Sequence, residues 1–520
     1  MTARSSRRRA MAAEGQQRRG GRAARRKERI GAPIVQKRYI TREIPVYELL
    51  DEAGLDLIHD TSMEILEEVG IDFRDEEALA DWKEAGADVK GERVHIPRGL
   101  IEEKLEMIPE TYTQVARNPE RNVVIGGKNT VFAPTFGSPF VRDFDNIRRY
   151  ATLEDLQNFI KLTYMTPELH HSGGIICEPV DVPVPKRHLD IVYSHIKYSD
   201  KPFMGVQSAP ERALDSCKMC EILFGADFVR DNTVMTSVVN CNSPLVWDAS
   251  MLGAMRHYAQ HNQAVLITPF IMAGAMAPVA TAGAIAQLNA EVTAGLAYSQ
   301  IVKPGVPMVY GSFLATVSMQ SGAPMMGTPE TLQMIYAVGQ LSRRYKVPLR
   351  SGGMLNGAKI ADAQAAFESM QTMNATLLAG TNFVLHSAGW LEAGLSAGYG
   401  KFIMDTEQIA MLQSFCKPLD LSENGLGMEA IREVGPGNHF LGCAHTQKNY
   451  LKGFFMPEVA DNNSYEQWEA EGAKTQDQRA VEKAKRMLAE YEAPAFDAAK
   501  DEELLAFMAE RKAVLPDLVS

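Results

Sequence analysis

Short apolar runs alternate with longer amphipathic segments over most of this chain. The apolar runs cover 172–177, 202–207, 233–239, 264–269, 307–313, 348–354 and 381–386. The runs at 306–313 and 347–355 contain Gly and small polar residues, and the near-continuous apolar character of the set predicts parallel strands buried on both faces. The segments 211–224, 248–261, 278–302, 329–345 and 363–379 carry helix formers and predict the connecting helices. A further short run, 416–421, is expected as a last strand. Seven or eight strand–helix units over roughly 300 residues predict an α/β protein of the (β/α)8 TIM-barrel type. A doubly wound dinucleotide fold is disfavoured, because no GxGxxG follows the first strand.

The flanks read differently. In 45–70, Leu55, Ile58, Ile65, Leu66 and Val69 recur near helical spacing, and Gly70 suits a helix end. That predicts an N-terminal α/β region over 39–130, ending near the short run 122–125. The barrel is expected over 131–459. Residues 460–520 are rich in Glu, Lys and Ala and predict helices on the outside or at a subunit contact. Residues 1–38 hold thirteen Lys/Arg against Glu14 and Glu28, with few large apolar residues. Such a segment cannot bury enough surface to offset its ordering entropy and is expected as a disordered basic tail.

That tail changes the meaning of the net charge. The chain sums to −11, but the first 38 residues carry +11, so the rest carries −22. An acidic body argues against nucleic acid as the main ligand. Six Cys without a secretory signal suggest free thiols in a reducing cytoplasm. Cys217 and Cys220 form a CxxC without a second pair and read as buried helix residues. The most apolar long run, 271–302, is broken by Gln287, Asn289 and Glu291, so no membrane span is expected.

In a barrel the site lies where strands end. The strand ends select Glu178, Asn240, Cys241, Asn242, Phe270, Ser312, Phe313, Met354, Asn356, His386, Ser387 and Trp390. No nucleophile stands out, since neither GxSxG nor HExxH occurs. No metal site is expected: adjacent His170 and His171 share a metal poorly, and His439, Cys443 and His445 form an incomplete set. The rings of Phe136, Phe270, Phe313, Trp390 and Tyr399 could hold a quaternary ammonium by cation–π attraction. Glu291, with Gln287 one turn earlier, reads as a buried structural network, and His439 as a packing residue of its loop.

Seven blocks together resemble the trimethylamine methyltransferase family of corrinoid-dependent enzymes, over about residues 45–460. They are DTSMEILEEVGIDF (60–73), NSPLVWD (242–248), AGAMAPVATAGAIAQLNAEVTAG (273–295), KPGVPMVYGSF (303–313), SGAPMMGTPE (321–330), HSAGWLEAG (386–394) and GPGNHFLG (435–442). The resemblance implies a barrel that passes a methyl group from an amine to the Co(I) corrinoid of a small partner protein. Trimethylamine members carry pyrrolysine in a loop that corresponds to 354–359, where this chain has ordinary MLNGAK. Members without pyrrolysine are associated with quaternary amines, glycine betaine and related betaines above all. A quaternary ammonium already has a neutral amine as leaving group, so no catalytic acid, base or nucleophile is expected of the chain. Asn242, Asn356 and His386 are then candidates for a carboxylate subsite. The alternatives are a tertiary amine such as trimethylamine as donor, or a non-catalytic betaine-binding barrel. A homo-oligomer is also expected.

Overall fold

A computed structural model describes residues 39–518, so the expected basic tail lies outside the described residues. The central feature is an eight-stranded, curled sheet. In spatial order its strands are Ile40–Thr41, Asn129–Phe132, Phe383–Val384, Leu349–Arg350, Met308–Gly311, Ala264–Ile267, Met235–Val239 and Phe203–Met204. Seven run parallel; Ile40–Thr41 pairs antiparallel with the start of Asn129–Phe132. The first parallel strand in the chain thus lies beside the last. Parallel neighbours need crossovers, and helices Pro210–Phe224, Ala249–Gln260, Thr281–Val302, Pro329–Arg344 and Ala363–Leu378 supply them. These helices fall close to the ranges that the sequence predicts.

Burial explains the composition of the longest crossover. Every residue from Ala284 to Gln300 in helix Thr281–Val302 is buried. Such a helix must be apolar and small on all sides. Gly295 lets it press against Trp247, whose ring atom would lie 2.5 Å from an added Cβ. Its outer face meets helices Glu52–Glu64 and Arg98–Leu105 of the N-terminal region. That region also holds a small sheet of Ile71–Arg74, Arg93–His95 and Asp88–Lys90, which Val246–Asp248 extends. Among the described residues no helix is long and apolar enough to cross a membrane.

The inner faces of the parallel strands divide into two levels. The lower is apolar: Val131, Met204, Val238, Leu266, Val309 and Phe383 pack with Tyr112, Val123 and Ile125 of the hairpin Thr111–Gln114/Val123–Gly126. Nearer the strand C-termini the inner positions turn polar. By two-residue alternation Thr268 shares a face with Leu266, and Arg350 pairs across from Gly311 and Phe383 on that face. Gly311 is required there, because a Cβ would sit 2.0 Å from the Thr268 hydroxyl and 2.3 Å from Ile267 O.

Two strand expectations change. Segment 172–177 contains no regular strand. Its neighbourhood is nevertheless hydrogen-bonded to both sides: His170 and His171 N–H donate to Phe132 O (3.0 and 3.1 Å), and Ser172 N–H donates to Pro202 O (2.7 Å). Met204 N–H donates to Gly173 O at 2.8 Å. Segment 416–421 is not a strand either. Cys416 closes helix Tyr399–Phe415, and Leu419 and Leu421 are exposed. An isolated apolar run reads alike in a strand and in an exposed arm, and only partners distinguish them.

Candidate functional site

Four aromatic side chains converge beyond the strand C-termini. Phe313 follows the 308–311 strand, Phe270 follows 264–267, and His386 and Trp390 follow 383–384. The Phe270 and Phe313 rings lie 5.1 Å apart. His386 stacks on Phe313 at 5.3 Å and meets Trp390 edge-on at 4.4 Å. Phe313 and Trp390 are T-shaped at 5.7 Å. Ala315, Met326 and Leu355 complete an apolar shell around them. His386 and Trp390 are buried, whereas Phe270 and Phe313 are half-buried and reachable.

His386 is held in a left-handed conformation, φ 62°. Non-glycine residues rarely adopt it, and strain of this kind concentrates at functional sites. Its N–H donates to Pro134 O and its O accepts from Met354 N–H, at 3.0 and 2.9 Å. Gly353 passes so close, 2.5 Å from Leu385 O to an added Cβ, that only glycine fits beneath this crossing. Burial, and then the nearby Arg350 charge, hold the imidazole pKa well below the usual histidine value. It is therefore neutral near pH 7, and its Nδ1 has no hydrogen-bond partner.

Arg350 was not among the residues that the sequence selected. It is 1% exposed, and its guanidinium sits 5.3 Å from the Phe313 ring centre. Nη1 donates to Ser312 O at 2.6 Å, while Nε has no partner. Burial alone pulls its pKa down to about 9, and no carboxylate offsets that burial. A buried guanidinium without a counter-charge is costly. Chemically, such a guanidinium fork is suited to an anionic group, which it can bind in bidentate fashion. The buried hydroxyls of Thr268 and Ser351, close to it in sequence or register, are also without partners.

A second buried set positions Trp390. Asn356 Nδ2 donates to Trp390 O (2.8 Å), Ser369 Oγ (3.1 Å) and Met354 O (3.3 Å). Its Oδ1 accepts from Ala358 N–H, and its backbone O accepts the Trp390 indole N–H. Ser369 Oγ also accepts from Lys401 Nζ at 3.0 Å. Lys401 pairs with Asp405, and Asp405 Oδ2 accepts the Gly389 N–H at 2.9 Å. Both members of the pair are almost wholly buried. Burial raises the Asp405 carboxyl to about 6, against the opposing pull of Lys401. The 389–390 turn is thus fixed from two sides.

The structure therefore brings together Phe270, Phe313, His386 and Trp390, and ties the buried Met354 to His386 by its backbone N–H. It does not bring the other expected residues to this cluster. Asn356 has its amide committed as above, so it holds Trp390 rather than offering donors to a carboxylate. Asn242 is exposed and donates to Asp248 at 2.7 Å. Glu178 is paired with Arg187. Tyr399 stacks on Phe144 and Phe159 and donates to Asp155. Phe136 packs on the inner core beside Gly174. His439 lies on an exposed loop. Glu291, buried and with its pKa raised chiefly by burial, accepts from Ser243 Oγ (2.5 Å), Leu245 N–H (2.8 Å) and Gln287 Nε2 (3.0 Å). Those bonds fix the 243–245 turn, which makes Gln287 and Glu291 the structural network that the sequence suggests.

Two signals for the missed residues were present in the sequence. Arg350 interrupts the apolar run VPLRSGG, where a charge needs a reason. Lys401 and Asp405 stand one helical turn apart in the otherwise apolar GKFIMDTEQIA.

The family described as trimethylamine methyltransferase (MTTB) matches residues 18–516. A glycine betaine methyltransferase of Desulfitobacterium hafniense is 45% identical over 469 residues, covering 90% of this chain and 98% of the relative. A proline betaine:corrinoid methyltransferase of Eubacterium limosum is 27% identical, covering 71% and 78%. Among solved structures, the monomethylamine methyltransferase of Methanosarcina barkeri is similar with a TM-score of 0.50 at 10% identity, covering 86% of this chain and 90% of that one. At that identity the last likeness speaks for the fold alone. The match across nearly the whole length places the chain in the trimethylamine methyltransferase family, whose members move methyl groups from amines.

Proposed function

We propose that the chain takes a methyl group from a betaine, a zwitterion with a quaternary ammonium and a carboxylate, and delivers it to a corrinoid protein. The observation that carries this reading is Arg350, a buried cation without a counter-charge beside the aromatic cluster. A betaine satisfies both halves of the site. Its carboxylate pairs with Arg350 and the neighbouring hydroxyls, and its ammonium rests against Phe270, Phe313 and Trp390. A plain cation such as choline or trimethylammonium meets the rings but also meets the unshielded Arg350 charge. The reading agrees with the substrates named for the two relatives above, both betaines.

The corrinoid supplies the methyl acceptor, and it stays with its partner protein. This chain then has to bind, orient and exclude water. The half-buried Phe270 and Phe313, which begin the paired strands Phe270–Ala273 and Phe313–Val317, leave the cluster approachable from outside. The reacting methyl needs alignment and a dry surround rather than a protein acid or base. Neutral His386 is suited to hydrogen-bond the carboxylate without adding charge. We further infer that residues 131–459 form a closed (β/α)8 barrel, with 170–174 as the eighth staves' backbone. The hydrogen bonds of that segment to both Phe132 and the 202–204 strand support this.

Calorimetric titration tests the reading. Glycine betaine is expected to bind and choline to bind at least tenfold more weakly; equal affinities would remove Arg350 from recognition. Trp390→Ala is expected to weaken betaine binding roughly tenfold, matching about 1–2 kcal/mol for a desolvated cation–π contact. His386→Ala is expected to reduce betaine binding while leaving tetramethylammonium binding nearly unchanged, and equal losses on both would contradict its carboxylate role.

A further inference from the structure

The ribbon that carries Phe270 and Phe313 also carries a wall of their pocket. Phe270 pairs with Phe313, and Met272 with Ala315, in a parallel ladder. Thr316 pairs antiparallel with Met325, and the same register carried one residue on sets Met326 opposite Ala315. Side chains alternate along a strand, so Phe270, Met272, Phe313, Ala315 and Met326 share one face. The two ends of that face differ. Met272 is half-buried beside the reachable phenyl rings, whereas Ala315 and Met326 are 0% and 1% exposed and pack in one cluster with Leu355 and Trp390. Met325, on the opposite face, is exposed.

The closed end has one pliable member. Trp390 is fixed as described above. Leu355 is held at both backbone atoms by Thr372, whose Oγ1 accepts from Leu355 N–H at 3.1 Å and donates to Leu355 O at 3.2 Å. The Met326 backbone has little room to retreat. Gly327 follows it so close to Glu368 that an added Cβ would sit 2.4 Å from Glu368 Cγ. Glu368 Oε2 in turn accepts the Gly357 N–H at 2.7 Å. Ala315 is short, and the unbranched Met326 side chain takes up the room beside it. We propose that Met326 sets the bulk limit of the methyl donor. The inference rests on the betaine reading above: the site takes a bare one-carbon link between ammonium and carboxylate, and Met326 occupies the volume that substituents on that carbon would need. A bulkier betaine of the same spacing cannot shift aside, because its carboxylate is held at Arg350 and its ammonium at the rings.

Calorimetric titration of the full chain with glycine betaine and proline betaine isolates bulk from spacing. Both place one carbon between nitrogen and carboxylate, and proline betaine adds ring carbons to it. The wild type is expected to prefer glycine betaine by about 10–200-fold, the range for extra methylenes in an apolar pocket. Met326→Ala is expected to narrow that preference by about tenfold or more, chiefly through tighter binding of proline betaine. Met326→Leu, of similar volume, is expected to keep the wild-type preference. Equal wild-type affinities would overturn the proposal and leave the betaine reading standing. So would a Met326→Ala variant in which both betaines weaken alike and the preference is unchanged. A wild type that binds neither betaine would overturn that reading and this proposal together. Truncation opens a core cavity and can unfold the chain, so Met326→Val, which removes fewer atoms, is titrated beside it. An unchanged preference in a folded Met326→Val variant overturns the proposal equally.

Discussion

Replacing Arg350 by Gln is expected to lower kcat/KM for glycine betaine by about 10²–10³-fold. The guanidinium is buried, holds one backbone carbonyl, and otherwise faces no negative charge. Removing one partner of a buried charge-assisted pair costs about 2–5 kcal/mol, and the middle of that span, about 3–4 kcal/mol, corresponds to that loss. The direction on other donors is the sharper part. Without the carboxylate, tetramethylammonium gains nothing from Arg350 and is repelled by it, so its binding should improve in the variant. The chain itself should become no less stable, because the variant removes an uncompensated buried cation. Urea denaturation and steady-state kinetics on both donors check the three parts separately. A uniform loss on both donors would mean that Arg350 supports the fold of the strand ends instead.

Lys401→Met and Asp405→Asn are each expected to destabilise the protein by about 3–5 kcal/mol, since each leaves its partner's charge or dipoles buried without compensation. The double variant should lose markedly less than the two losses combined, because no charge is then stranded. Binding should follow the 389–390 turn. Asp405 holds the Gly389 N–H, and Lys401 reaches Ser369, which shares Asn356 with Trp390. Betaine affinity is therefore expected to fall in each single variant even under conditions where it remains folded. Additive losses in a denaturation cycle would contradict a coupled pair.

The strands and crossover helices were legible because burial leaves an unambiguous trace. A strand covered on both faces must be apolar throughout, and a helix enclosed like 281–302 must be apolar all round. Segment 172–177 was less legible because its neighbourhood meets the flanking strands through only a few backbone bonds, at Phe132, Pro202 and Met204, without a regular ladder, which hydropathy does not encode. The 416–421 run misled for the opposite reason: exposed apolar residues look buried when no partner is in view. For the site, position at strand ends found Phe270, Phe313, His386 and Trp390. It also collected Asn242 and Glu178, whose neighbours in space engage them elsewhere. Tyr399 failed likewise, since a ring in an apolar stretch says nothing of which rings it meets. Arg350 escaped because it lies inside the predicted run 348–354, whereas the strand ends at Arg350 itself.

The central claim is that the donor must carry both a quaternary ammonium and a carboxylate. The most direct measurement follows loss of the Co(I) absorbance of a reduced corrinoid protein mixed with this chain and one donor at a time. Glycine betaine or a close betaine is expected to consume Co(I) and release its demethylated amine, with choline and trimethylamine slower by at least tenfold. Equal rates from choline, or turnover of trimethylamine without turnover of any betaine, would contradict the account.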